Sequence, residues 1–351
     1  IVVNPTPTPI VVNPTPTPIP TPVVISCPTG FVAVDGNGTL GTLDFCVMKY
    51  EAKDDGGGNA VSQAAGSPWV SIQADDGTPA NDNDAFEKCE NMSEGGFTGT
   101  FGLISNPEWM TIARDIESVG TNWSSGTVGT GNLARGWSAR FADDGFLNSA
   151  VAPITDSTCV FNSAANTCAA TGTHKLRRTH QLSNGSEIWD LAGNVLEWVD
   201  WDSGTAGFTL GPTDGDTGGW NELNDLVGSL TVDDVAPLGP YTSAEQAGRL
   251  YPYTSGGAAR RGGGWNDGSD VGAFTLSLYG DPSYSRTDIG FRCSYEPSSE
   301  PDPLPEQSSE PEPLPEPSSE PDPLPEPSSE PDPSPSPSPS GSGSVGIQDK
   351  Y

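Results

Sequence analysis

The sequence predicts an α+β domain with few regular elements and long ordered loops, held between two extended proline-rich stalks. Three observations predict it. Composition changes sharply near residues 26 and 295, outside which the chain is mostly Pro, Thr, Ser, Glu, Asp and a few aliphatics. Short period-two runs and two helical patterns, the second with a capping box, appear early in the middle, and strand patterns return at its end. Between Asn122 and Gly257 the chain is rich in Gly, Asp, Asn and Ser, yet it carries Trp123, Trp137, Trp189, Trp198, Trp201 and Trp220. Large aromatics in loop-like sequence mean packed loops.

Residues 1–25 read IVVNPTPTP twice before IPTPVVIS begins. Proline at every second position excludes helix and continuous sheet, so the spacers are extended polyproline II. The segment is either low-complexity linker or an assembly strand. In the second case Ile1, Val2 and Val3, or Ile10, Val11 and Val12, or Val23 to Ile25, add to an exposed sheet edge of a neighbouring copy.

Residues 26–295 form the domain, about 270 residues and long enough to bury a real core. Gly30–Val34 (GFVAV) and Phe45–Ala52 (FCVMKYEA) read as a hairpin around a Gly/Asn/Asp-rich loop. A helix covers Asp84–Met92. A second starts at Ser105, where Glu108 completes a capping box, and Trp109, Ile112, Ala113 and Ile116 share one face. It ends near Val119–Gly120. Strands return at Gly272–Leu278 and Ile289–Tyr295, with Ile289, Phe291, Cys293 and Tyr295 on one face of the latter.

Residues 296–340 repeat with a ten-residue period: SSEPDPLPEQ, SSEPEPLPEP, SSEPDPLPEP, SSEPDPSPSP. Fixed φ and like-charge repulsion make these decads a stiff spacer of roughly 120 Å at ~3.1 Å per residue. Residues 341–351 are a short C-terminal segment. Ser and Thr beside Pro suit O-linked sugar on both stalks, and Asn37, Asn91, Asn122 and Asn184 stand in N-glycosylation sequons.

The net charge is −32, with twelve acidic and no basic side chains in 296–337. Both stalk and domain repel phosphate backbones and anionic lipid, which argues against nucleic-acid binding and electrostatic membrane attachment and favours calcium. No apolar run is long enough to span a bilayer. No charged-then-apolar leader precedes Ile1, so a secreted chain is expected to be already processed.

Six cysteines without a C-x-x-C pair, and only two histidines, argue against zinc. Three disulfides formed in an oxidising compartment fit better, placing the protein outside the cell or on its surface. His174 and His180 flank Lys175, Arg177 and Arg178 in a basic knot. It reads as a structural balance for nearby carboxylates, with a general base or anion site as the alternative. There is no G-x-S-x-G elbow, phosphate-binding loop or paired-carboxylate signature.

Three segments stand in order: IWDLAGNVLEW (Ile188–Trp198), RGGGW (Arg261–Trp265) and IGFRC (Ile289–Cys293). Together they resemble the formylglycine-generating (sulfatase-modifying) family, with its G-N-V-x-E-W, R-G-G-S-W and G-F-R signatures, over residues 28–295. LISNPEW (Leu103–Trp109) is similar to that family's helix start. The resemblance implies an elaborated C-type-lectin-like fold. The oxidase members carry two cysteines soon after R-G-G; here those positions are Asp267 and Gly272, neither able to act as a thiolate. The expectation is therefore a protein that is not an enzyme. Some members, including retroelement-diversified variable proteins, use this fold only to display a binding surface.

The resemblance also implies two structural calcium sites. The first takes the side chains of Asp190 and Glu197 and the carbonyls of Gly193 and Val195. The second takes Asn132 and the Leu133 carbonyl with Asp144 and the Phe146 carbonyl. Against the first stands the reading that Asp190 and Glu197 cap turns or pair with arginines. The same fold implies Cys89 with Cys293, Cys27 with Cys46 and Cys159 with Cys168, one of the fifteen pairings six cysteines allow.

Two functions are expected. One is a subunit of an extracellular surface fibre, a head-to-tail homopolymer joined through its terminal segments and carrying glycans. The other is a stalk-displayed lectin-like or adhesive module, whose ligand surface is Trp265, Asn266, Phe274, Tyr279 and Tyr284.

Overall fold

Alternating apolar residues form a hairpin where the sequence has them: β1 (Phe31–Val34) pairs antiparallel with β2 (Phe45–Met48), Phe31 opposite Met48 and Val34 opposite Phe45. The computed structural model describes residues 25–77, 83–138, 177–201, 207–212, 219–226, 228–253 and 257–298. All lie in the first of the two units into which the chain divides, Ile1–Asp302. The architecture is mixed α+β, with few helices and several small sheets.

Both helix signals are realised. In α1 (Ala85–Glu90) the Asp84 side chain accepts from the Glu87 amide. In α2 (Asn106–Ser118) Ser105 and Glu108 close the capping box and the helix stops at Val119. The apolar face of α2 is wholly buried: Trp109, Ile112, Ala113 and Ile116 are each 0% exposed.

The first sheet runs β1-β2-β13-β5, where β5 is Thr100–Leu103 and β13 is Cys293–Glu296. The second runs β12-β8-β10-β11-β9, with β8 Leu196–Val199, β9 Leu250–Tyr251, β10 Ala259–Arg261, β11 Leu276–Ser277 and β12 Ile289–Phe291. Two-stranded sheets are made by β3 (Lys53–Asp54) with β4 (Ala60–Val61), and by β6 (Thr179–Gln181) with β7 (Glu187–Trp189).

Two strand expectations need correction. Ile289–Tyr295 is two strands, because the chain leaves one sheet for the other at Arg292: β12 pairs parallel with β8, and β13 pairs antiparallel with β2 and β5. Of Gly272–Leu278 only Leu276–Ser277 is strand, although 271–278 is buried throughout. A Cβ on Gly272 would stand 2.3 Å from the Ala247 carbonyl, so the segment packs closely on a loop and not on a strand partner.

Of the tryptophans between Asn122 and Gly257, Trp123, Trp137 and Trp198 are core residues and Trp189, Trp201 and Trp220 are half-buried. Trp109, Trp123 and Trp198 are buried, and each indole N–H reaches a carbonyl, of Ala273, Glu117 and Ile72, at 2.8, 2.8 and 3.0 Å. Buried indoles need such partners, which is how irregular backbone becomes ordered here.

Two disulfides join these parts. Cys27–Cys46 closes the first hairpin and Cys89–Cys293 ties α1 to β13, with Cα separations of 5.6 and 5.3 Å. They agree with a secreted protein. Cys159, Cys168, His174, Asp144, Phe146 and the assembly triplets Ile1–Val3 and Ile10–Val12 lie outside the described residues. No helix among the described residues is long and apolar enough to cross a membrane.

Candidate functional site

The fold gathers the three motifs into one place. Strand β8 holds Leu196–Val199, with β12 and β10 on either side, so Glu197 lies between Gly290 and Arg261 in register. The connecting loops meet too: the Gly193 amide donates to the Gly262 carbonyl, and the Trp265 amide to the Asn194 carbonyl.

The loop from Asp190 to Val195 turns sharply. Asp190 (φ 53°), Gly193 (φ 80°) and Asn194 (φ 64°) all take left-handed backbone, which Asp and Asn tolerate better than other side chains. Hydrogen bonds hold it there. Glu51 accepts from the Asn194 side chain at 2.5 Å and from the Val195 amide at 3.2 Å.

Around this loop lies a buried set of charges. Asp190 accepts from Nε and Nη2 of Arg178, both at 2.6 Å. Glu197 accepts from Nε and Nη2 of Arg292, both at 2.5 Å. Glu51 and Lys53 are each 2% exposed, and Lys53 Nζ donates to the Gln63 carbonyl. Three acids thus face three bases. Burial, and then Asp190 and Glu197, push the Glu51 carboxyl well above its usual value. Burial works against charge on Arg292, yet Glu197 beside it raises the guanidinium. Burial pushes the Glu197 carboxyl up, and Arg292 beside it pulls it down.

This is the arginine-paired arrangement that the sequence left open beside calcium. As they stand, the donors expected for the first calcium site do not fit the ion: all four oxygens of Asp190 and Glu197 accept from guanidinium groups, which would repel a cation. Gly193 and Val195 are buried in the same loop. Of the second set, the Asn132 carbonyl accepts from the Ser124 amide and the Leu133 amide donates to the Glu245 carbonyl.

The basic knot is likewise structural where it is described. His180 is buried and its Nε2 donates to the Ala134 carbonyl at 2.8 Å. Arg177 donates to Thr179 and to the Thr121 carbonyl.

The expected ligand face divides. Phe274 is corrected: it is 0% exposed and its carbonyl takes Arg261, so it belongs to the core. Tyr279 is 43% exposed and meets Tyr251, Tyr253 and Tyr284 edge-on at 5.8, 5.0 and 6.1 Å between centroids. Trp220 extends the row, 5.3 Å from Tyr251. The sequence reading includes Tyr279 and Tyr284 but not Tyr251 and Tyr253, which the parallel pairing of β9 with β11 brings alongside.

Trp265 and Asn266 are half-buried beside Asp288. The Asn266 amide nitrogen donates to Asp288 Oδ2 at 2.8 Å, and Arg286 pairs with the same oxygen at 3.1 Å. Trp265 Nε1, Asn266 Oδ1, Asp288 Oδ1 and Arg260 Nε have no protein partner. Arg260 lies 5.4 Å from the Tyr284 ring, which joins this corner to the tyrosine row. Asp267 is held by the Gly264 amide, and its carboxyl is pushed up to about 6, chiefly by burial.

No protein-family model and no curated protein matches the chain. Among solved structures, PvdO from Pseudomonas aeruginosa is 16% identical over 73% of this chain and 81% of its own, with a TM-score of 0.31. Treponema denticola variable protein 1 is 14% identical over 77% of this chain and 100% of its own, with a TM-score of 0.28. Both are faint similarities.

Proposed function

We propose that the protein is a non-catalytic extracellular module, a formylglycine-generating-enzyme-like, C-type-lectin-like domain carried between two stalks, that binds glycans through its tyrosine row. The observation that carries this reading is the surface cluster of Tyr251, Tyr253, Tyr279 and Tyr284. Tyrosines give large rigid contact at little entropic cost, with a hydroxyl at the wet end. Tyr279 is the exposed member, so its ring and hydroxyl stand where a hydroxyl-rich ligand can reach them. Absence of catalysis is supported at the two positions where the oxidases carry cysteine. Asp267 has no thiol, and Gly272 has no room for a side chain. The test is a glycan-array screen of the full chain beside Tyr279→Ala and Tyr284→Ala. Binding that both substitutions abolish supports the reading; no binding, or binding indifferent to both, overturns it.

A second reading, the head-to-tail fibre subunit, is favoured by one feature. Among the described residues the β3–β4 sheet has two strands, and Ala60 and Val61 of β4 border a groove of about 920 Å³ beside α1. An aliphatic triplet from a neighbouring copy would add there by strand pairing. Deleting residues 1–25 should then leave a folded monomer where negative-stain images of the full chain show filaments. Identical assembly with and without the segment sinks this reading.

A further inference from the structure

A small cavity of about 120 Å³ lies beside β5 and α1, lined in part by Leu103, Ser105 and Glu108 of the LISNPEW segment. Its acidic lining is Glu90, Glu108, Asp200 and Glu296, with no Lys, Arg or His among the residues around it. Ser105 and Ser294 add hydroxyl oxygens. Every polar side chain facing the space is therefore an oxygen donor.

Glu108 is the centre of the case. It is 3% exposed, and its Oε2 accepts from the Ser105 amide, the Ser105 hydroxyl and the Ser294 hydroxyl at 2.7, 2.8 and 3.0 Å. Its Oε1 has no partner at all. A buried carboxylate oxygen without a donor is costly, and no counter-charge lines the cavity to offset it. Burial pushes this carboxyl up to about 7 although its hydrogen bonds pull it down, with Glu296 adding to the rise.

The cavity has a cause in the sequence. Gly102 stands in β5 opposite Ser294, and a Cβ there would meet nothing within 4 Å. Its φ is not in the left-handed region, so the backbone does not require glycine. Glycine also weakens a strand interior. The missing side chain leaves space open at the Glu108 carboxyl.

We infer that this cavity binds a hard divalent cation of the calcium class, with Glu108 Oε1 as its inner ligand and water between the ion and the outer carboxylates. Oxygen-only donors exclude soft and borderline metals. The irregular set suits calcium, which tolerates varied geometry, better than magnesium, which does not. The space admits an ion with a few waters and is too small for a sugar. Among the described residues only Asp75, Asp76 and Asp84 bring three ligand oxygens within 4.8 Å of one another, so the carboxylates here act partly through water. Affinity should fall in the weak extracellular range, on the order of 0.1–1 mM.

The test is calorimetric titration of the full chain with CaCl2, with MgCl2 as control, alongside thermal melts. Wild type should bind calcium and melt a few degrees higher at ten times the dissociation constant. Glu108→Gln, which keeps a capping side chain, should weaken binding at least tenfold. Gly102→Val, which fills the space and suits a strand, should abolish it while the two disulfides still form. No heat and no melting shift up to 20 mM calcium overturns the proposal, as it would if the cavity held only a proton on Glu108. Calcium binding unchanged in both variants also overturns it, because the ion then sits elsewhere.

Discussion

Arg292 and Glu197 join the two main sheets through a doubly hydrogen-bonded ion pair in which both side chains are wholly buried. Arg292 also donates to the carbonyls of Met48, in β2, and of Trp189. Arg292→Met should therefore cost about 3–5 kcal/mol, because it strands the Glu197 charge in the core. Adding Glu197→Leu should restore part of that loss. Urea melts of the two variants check this, and a double variant no better than the single one contradicts it.

The two disulfides should differ in weight. Cys89–Cys293 spans 204 residues and Cys27–Cys46 spans 19. Loop-closure entropy makes the longer link worth about 2 kcal/mol more. Denaturant melts of Cys89→Ala/Cys293→Ala against Cys27→Ala/Cys46→Ala measure the difference directly.

Stability should fall as pH rises through the neutral range. Burial pushes the carboxyls of Glu108 and Glu117 up to about 7 and that of Asp267 up to about 6. Each folded pKa lies above its unfolded value, so the native state holds more protons between pH 4.5 and 7 and loses stability as they leave. In chelator-treated buffer the melting temperature should be about 5 °C higher at pH 5 than at pH 7.5. A flat or opposite profile in scanning calorimetry refutes it.

Phe274 and Tyr279 should separate by role. Phe274→Ala empties a fully buried site and should cost about 3–5 kcal/mol. Tyr279→Ala removes a ring at the surface and should cost under about 1 kcal/mol. Thermal melts of both variants distinguish a core residue from a surface one.

Glycosylation should avoid one sequon. Asn122 is 0% exposed and its side chain donates to the Ile116 and Gln181 carbonyls, whereas Asn91 and Asn184 are exposed. Glycopeptide mapping of native material should find Asn122 bare.

Local signals were enough for the first hairpin, both capped helices and the packed tryptophan loops, because each depends on neighbours within a few residues. The capping box at Ser105 and Glu108 is such a case. Arg292 shows the other kind. Nothing in Ile289–Tyr295 says that the chain changes sheets there, since the reason is Glu197, ninety-five residues away. Nearness in sequence to the last strands suggests a surface place for Phe274 beside Tyr279, but the close approach of Gly272 to Ala247 carries Phe274 into the core. By type, Asp190 and Glu197 suit calcium as well as arginine, and the sequence reading takes calcium first. Only the folded chain brings Arg178 to Asp190 and Arg292 to Glu197, because each pair joins residues far apart in sequence or at the ends of different strands.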